Sequence, residues 1–166
     1  VLYMLGKHQD ALIINHARKL FKDENIKGIK IEPDLRGVIY DLIAENGGAR
    51  EYRIFLSKLK KETLEEERDR LLRAMSLVRD RRLLKKTLDL AFSKDAHGQD
   101  ALKAINFVFA NRFGRDVAFR QLKSRWGEIV ARFGSGGHLF PRFIKPLDNF
   151  TTFKKAAEVK DFFAKI

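Results

Sequence analysis

The stretch PDLRGVIYDLIAENGGAREY, residues 33–52, decides the fold. Leu35, Val38, Ile39, Leu42 and Ile43 recur at i, i+3, i+4, i+7 and i+8, which lays one apolar stripe along a helix. Asp34 stands where a carboxylate accepts the free amides of a first turn, so it is the expected cap. Asn46-Gly47-Gly48 is the expected stop, with glycine in the left-handed conformation that it adopts at little cost. A second stripe follows at Tyr52, Phe55, Leu56 and Leu59. Stripe, cap and stop leave Arg36, Tyr40 and Tyr52 without a role.

The same pattern extends in both directions. Ala11, Ile14, Ala17, Arg18 and Phe21 sit on one helix upstream, with Leu20 beside them. Downstream, Leu64, Leu71, Leu72, Met75 and Val78 mark a helix whose EEERDR surface from Glu65 spaces opposite charges for i,i+3 and i,i+4 pairs. Leu84, Leu88, Ala91 and Phe92 mark another, and Ala101, Ile105, Val108 and Phe109 a further one capped by Asp100. Ala118, Leu122, Trp126, Ile129, Val130 and Phe133 predict the longest helix, stopped at Gly134-Ser135-Gly136-Gly137. Leu139, Phe140, Phe143, Ile144 and Leu147 predict a short helix, and Phe153, Ala156, Ala157, Val159, Phe162 and Phe163 the last. IKGIKIEPD alternates briefly, but its length and its proline favour a loop over a strand. Short connections make consecutive helices antiparallel neighbours. The expectation is an all-α chain of helix pairs in a concave, HEAT-like α-solenoid, with residues 1–166 as one helical domain.

Composition narrows the function classes. With 45% hydrophobic residues the chain folds rather than remaining disordered. No apolar run approaches the about 20 residues that span a bilayer, so no membrane partner is expected. Cysteine is absent, which removes disulfides and thiolate metal sites and fits a cytoplasmic setting. The net charge is +12. Residues 112–145 hold Arg112, Arg115, Arg120, Lys123, Arg125, Arg132, Arg142 and Lys145 against Asp116 and Glu128. Such a field attracts nucleic acid, an anionic surface or an acidic peptide, and a solvated basic surface explains it equally.

The usual catalytic patterns do not occur. His8, His16, His97 and His138 form no HExxH and no i,i+4 pair. FGSGG at 133–137 has no following GK[ST] and reads as a helix stop, not a phosphate loop. Glu65-Glu66-Glu67 lie in a solvated charge run, not in a buried setting that would shift their pKa. Trp126 falls on an apolar stripe and reads as core, not as a stacking platform for bases. The corner NRFGRD is the one candidate site. There Arg112 and Arg115 flank a helix start, and guanidinium plus helix N-terminus suits a carboxylate. Pairing of Arg115 with Asp116 or another nearby acid is the competing reading.

An ordered series of segments then carries a resemblance. PDLRGVIY, GGAREY with FLSKL, a Glu/Arg-rich helix ending RLLRAM, LLKKTLDLAFS, QDALKAI, NRFGRDVAF, RWGEIVARFG and FTTFKKAAEVKDFF follow one another across nearly all of the chain. Together they resemble the C-terminal helical domain of zinc aminopeptidases of the puromycin-sensitive and endoplasmic-reticulum type, with the archaeal tricorn-interacting aminopeptidases as suggested nearest members. The resemblance implies a parent enzyme several times longer, with zinc held by HExxH and a distant glutamate, and a GxMEN motif for the substrate amine. Neither motif is present here. VLYMLGKHQDALIINHARKLF resembles the middle of that helical domain, so the chain is expected to be its later part. The family's concave bowl covers the active site and helps bind the peptide, and Arg112 or Arg115 would contact the peptide. Phe119 stands where the family usually has tryptophan, and Arg125 where it often has asparagine, which leaves the subfamily open.

The expected function is therefore that of a non-catalytic domain of a zinc aminopeptidase, with peptide substrate and the catalytic domain of the same chain as partners. This segment itself is expected to need no cofactor. The alternative is a stand-alone helical scaffold that binds an acidic protein or nucleic acid through its basic surface, the nucleic-acid form being the less favoured.

Overall fold

A computed structural model describes residues 2–94, 96, 99–134 and 140–166. Every regular element among them is helical, and none is a strand. Contacts divide the chain into two compact units, Val1–Leu83 and Leu84–Ile166.

The first unit contains α1 (Leu2–Lys7), α2 (Ala11–Lys27), α3 (Pro33–Asn46), α4 (Ala49–Leu59) and α5 (Glu65–Leu77). The unit boundary falls within α6 (Arg81–Ala91). Asp10 caps α2, its Oδ1 accepting from the amides of Leu12 at 3.0 Å and Ile13 at 3.1 Å. The α2 helix ends at Gly28, where φ is 72°. The central helix α3 packs on α2 and α5, and α4 packs on α5. Phe21, Tyr40 and Phe55, one from each of α2, α3 and α4, form a ring cluster with centroids 5.2–6.0 Å apart.

Two expectations about the decisive stretch are corrected. Helix α3 starts at Pro33, whose ring presets helical φ, so Asp34 falls inside the first turn instead of capping it. Gly47 ends α3 in an extended conformation (φ −106°, ψ −169°), not a left-handed one. Glycine is needed there for space, because a Cβ would lie 2.5 Å from the Ile43 carbonyl oxygen. The segment between α2 and α3 is a loop, as its proline and length suggested.

The second unit contains α7 (Asp100–Ala110), α8 (Arg115–Ser124), α9 (Trp126–Phe133), α10 (Pro141–Ile144), a 3-10 turn (Lys145–Asn149) and α11 (Phe153–Phe163). The predicted longest helix is in fact two, broken at Arg125 (φ −108°, ψ 14°). The 17-residue α2 is longer than either. The Arg125 guanidinium spans the break. It reaches Gln121 at 2.9 Å, Asp89 at 2.9 Å and Glu128 at 3.4 Å, and lies 5.1 Å from the Phe92 ring centroid. Asp100 is buried in the first turn of α7, one residue past the N-cap position, which is Gln99. The core is a chain of rings. Phe150 stacks edgewise on Phe109 and Phe119, Phe119 on Phe162, and Trp126 on Phe140, Phe162 and Phe163. Trp126 is half-buried and engaged by these phenylalanines. Three residues assigned to apolar faces point outward: Leu64 is 66%, Val130 42% and Phe153 97% exposed.

Candidate functional site

Arg112 sits on the turn between α7 and α8, and Arg115 is the first residue of α8. Asn111 builds that turn. Its carbonyl accepts from the amides of Gly114 at 2.8 Å and Arg115 at 3.2 Å, and its Oδ1 accepts from the Phe113 amide at 3.0 Å. Gly114 is buried where a Cβ would lie 2.4 Å from the Val108 carbonyl oxygen, so the chain turns tightly onto α7 only with glycine. Local sequence thus fixes the two side chains within three residues of each other, but they face different tasks. Arg112 is exposed, with its guanidinium 4.7 Å from the Phe113 ring centroid. Arg115 is half-buried, and its Nε donates to the Phe109 carbonyl at 3.3 Å, which satisfies a C-terminal carbonyl of α7.

The neighbouring Asp116 turns to α11 instead, with Lys155 Nζ 2.7 Å from its Oδ1. Lys155 also reaches Glu158 at 2.8 Å, and Lys123 reaches the same carboxylate at 2.8 Å. Hydrogen bonds from Lys123 and Lys155 hold Glu158 down at about 2. Hydrogen bonds to Asp116 and Glu158 raise Lys155. Three of the eight basic residues of this segment are thereby paired with carboxylates: Lys123, Arg125, and Arg132, which reaches Glu128 at 3.0 Å; Arg115 serves a carbonyl and keeps its charge. Among the described residues Arg112, Arg120, Arg142 and Lys145 keep no carboxylate partner. Arg142 and Lys145 line a shallow cleft of about 440 Å³ with Leu102, Asn106 and Phe107.

Sequence reasoning missed the polar network of the first unit. The Tyr40 hydroxyl donates to Glu24 at 2.9 Å, and Lys58 Nζ lies 2.7 Å from the same carboxylate. Burial, and then the Glu24 charge, push the Tyr40 phenol above its ordinary value, so it stays protonated. Arg36 donates to Glu67 at 2.8 Å and to the Ile31 carbonyl at 3.1 Å, and Glu67 also pairs with Arg70. Arg68 is buried and donates to the carbonyls of Leu59 at 3.1 Å and Glu62 at 3.2 Å. Asp41 is buried 2.9 Å from Arg73, and desolvation raises it to about 6 in spite of that arginine. The sequence carried one signal for this network: Arg36 and Tyr40, four residues apart, had no place in the stripe.

His8 and His16 are exposed, and His97 and His138 lie outside the described residues, as does most of FGSGG. No group of three or more His, Asp or Glu among the described residues could hold a metal ion. No helix among them is long and apolar enough to cross a membrane.

Buried inter-helix ion pairs, aromatic contacts and a basic turn define a helical domain. The family model of the ERAP1-like C-terminal domain matches residues 1–166, and the chain belongs to that family. It is 30% identical to aminopeptidase M1 of Arabidopsis thaliana over 138 residues, covering 81% of this chain and 15% of that protein. It is 25% identical to the glutamyl aminopeptidase of Bos taurus over 167 residues and 25% identical to that of Homo sapiens over 169. Those two matches cover 98% and 99% of this chain but 17% and 18% of the relatives. The chain thus corresponds to the C-terminal region of aminopeptidase-family proteins and spans under a fifth of the relatives' length.

Proposed function

We propose that the chain is the part of a zinc aminopeptidase that does no bond-breaking chemistry, covers the active site and helps bind the peptide. The observation that carries this reading is the family match over all 166 residues. The relatives are named as aminopeptidases, and removal of N-terminal residues from peptides is the activity proposed for the parent. Zinc and the groups that activate water would lie in the catalytic domain of that longer chain. Stacked helix pairs would form its concave cover, as in a HEAT-like solenoid. The proposed setting is the cytoplasm.

Arg112 is the residue best placed for a peptide carboxylate, since its guanidinium is exposed and has no carboxylate partner among the described residues. Arg115 would support it by fixing the turn through the Phe109 carbonyl. Such a contact contributes by positioning, which shows in KM more than in kcat. The pure 166-residue protein should not hydrolyse aminoacyl arylamides with or without added zinc, and measured turnover would overturn the assignment. In the parent enzyme, Arg112→Ala should raise KM for peptides with little change in kcat, and an unchanged KM would remove Arg112 from the site.

A second reading, a scaffold for an acidic protein or nucleic acid, is favoured by the unpaired Arg112, Arg120, Arg142 and Lys145. It requires binding whose log affinity falls steeply with log salt and which weakens on Arg115→Ala. Absence of nucleic-acid binding at about 0.15 M salt favours the aminopeptidase reading.

A further inference from the structure

We propose that the cleft between α2 and α4 is a binding site for a medium-chain aliphatic carboxylate. The cleft encloses about 510 Å³, within the range of small-molecule sites. Its apolar lining is contributed by three helices: Phe21 and Ile26 of α2, Ile43 of α3 and Ile54 of α4. Phe21 and Ile43 are buried and form the floor, whereas Ile26 is 65% exposed at its edge.

The rim of the same cleft is cationic. Arg18, Lys22 and Arg50 line it. Among the described residues Arg18 has Asn15 Oδ1 at 3.3 Å, Lys22 feels the charge of its chain neighbour Asp23, and Arg50 has no partner. Elsewhere in this unit the cations that line inter-helix space are paired: Lys58 with Glu24, Arg36 with Glu67 and Arg73 with Asp41. Glu51 is the one acid of the lining, and its Oε2 already accepts from the Gly48 amide at 2.8 Å. The lining therefore carries three positive charges against one carboxylate, beside an apolar floor.

The two chemistries are separated along the cleft. The Phe21–Phe55 and Glu24–Lys58 contacts set α2 and α4 running in the same direction. Arg18 and Arg50 thus stand at one end, beside Gly47 and Gly48, and Ile54 and Ile26 lie further along. Arg18 and Ile26 are eight residues apart on α2, about 12 Å at the helical rise. That span matches an extended alkyl chain with its carboxylate on the arginines. A short anion such as acetate would leave the apolar floor wet, and an uncharged chain would leave the cations unmatched. Charge-assisted hydrogen bonds favour the carboxylate.

Calorimetric titration of the 166-residue protein with decanoate tests this, with decanol and acetate as controls and circular dichroism to verify folding. Decanoate should bind at one site per chain, at least about tenfold more tightly than either control. Lys22→Glu and Arg50→Glu, both at exposed positions, should each weaken it about tenfold or more. Gly48 has open space at its Cβ and an extended conformation that other residues adopt, so Gly48→Leu should fold and weaken binding by intruding on the cleft. Decanol binding as tightly as decanoate, charge-reversal variants binding like the wild type, or several decanoates binding per chain without saturation would each overturn the proposal.

Discussion

The two units solve the same packing problem with different chemistry. In the first, helices are tied by buried or half-buried polar groups: Glu24 to Tyr40 and Lys58, Arg36 to Glu67, and Asp41 to Arg73. In the second, rings join the elements from Phe109 through Phe150 and Phe119 to Phe162 and Trp126, and its ion pairs are more exposed. Removing one partner of a desolvated pair strands the other, whereas removing an exposed partner returns the other to water. The first unit should therefore be sensitive to single charges and the second to single rings.

The sharpest break of the comparison is Phe119→Ala. Phe119 is 1% exposed, so its loss should cost about 3–5 kcal/mol in chemical denaturation. A cost under about 1 kcal/mol would mean that the ring chain does not hold the second unit together.

The next effect is a pH dependence of opposite sign in the two units. Asp41 is raised by burial from 3.8 to about 6, with Arg73 lowering it and Glu45 raising it. A raised carboxylate binds its proton more tightly folded than unfolded. Its contribution to stability therefore falls as pH rises from about 4 to about 6, by about 3 kcal/mol in all, and is constant above. Wild type minus Asp41→Asn stability, measured from pH 4 to pH 7, should decline by that order, and a flat difference would contradict the burial of the charge. Glu158 is held at about 2, below its ordinary 4.5. It contributes stability above pH 4.5 that is lost as pH falls toward 2, and its half-exposed position keeps that contribution small.

Glu24→Gln should cost about 2 kcal/mol, because Lys58 and the Tyr40 hydroxyl lose the charged acceptor they share. Glu158→Gln, which also faces two lysines, should cost under about 1 kcal/mol because the pairs are solvent-exposed. Equal costs would erase the contrast between the units. The smallest effect should be Arg112→Ala, within about 0.5 kcal/mol of wild type, since the exposed guanidinium lies over the Phe113 ring and has no carboxylate partner among the described residues. That near-neutrality is what makes Arg112 a clean probe of peptide binding.

Much of the fold was legible because burial writes a period into a helix. The stripe from Leu35 to Ile43, the run from Ala101 to Phe109 and the loop at GIKIE were all readable as sequence. The errors lie where two structures share one pattern. Trp126 continues the stripe of Ala118 and Leu122, so the break at Arg125 left no trace in apolar spacing. Leu64, Val130 and Phe153 fit an apolar face in one dimension, but each keeps a large part of its surface in solvent. The candidate turn was visible in NRFGRD as a helix start flanked by arginines. The diversion of Arg115 to a carbonyl and of Asp116 to Lys155 was not, because Lys155 is 39 residues away in the chain.

The sequence by itself determined that the chain is all helical, roughly where its helices begin and end, and which family it resembles. Helical periodicity, glycine and proline act locally, within a turn or two of where they are written. Only the tertiary structure decided what Arg36, Tyr40 and Lys58 are for, which cations remain free and where an apolar floor meets a basic rim. Those outcomes depend on which side chains meet across 16 to 34 residues of intervening chain. Desolvation, which gives such meetings their energy, is a property of the packed molecule and not of any segment.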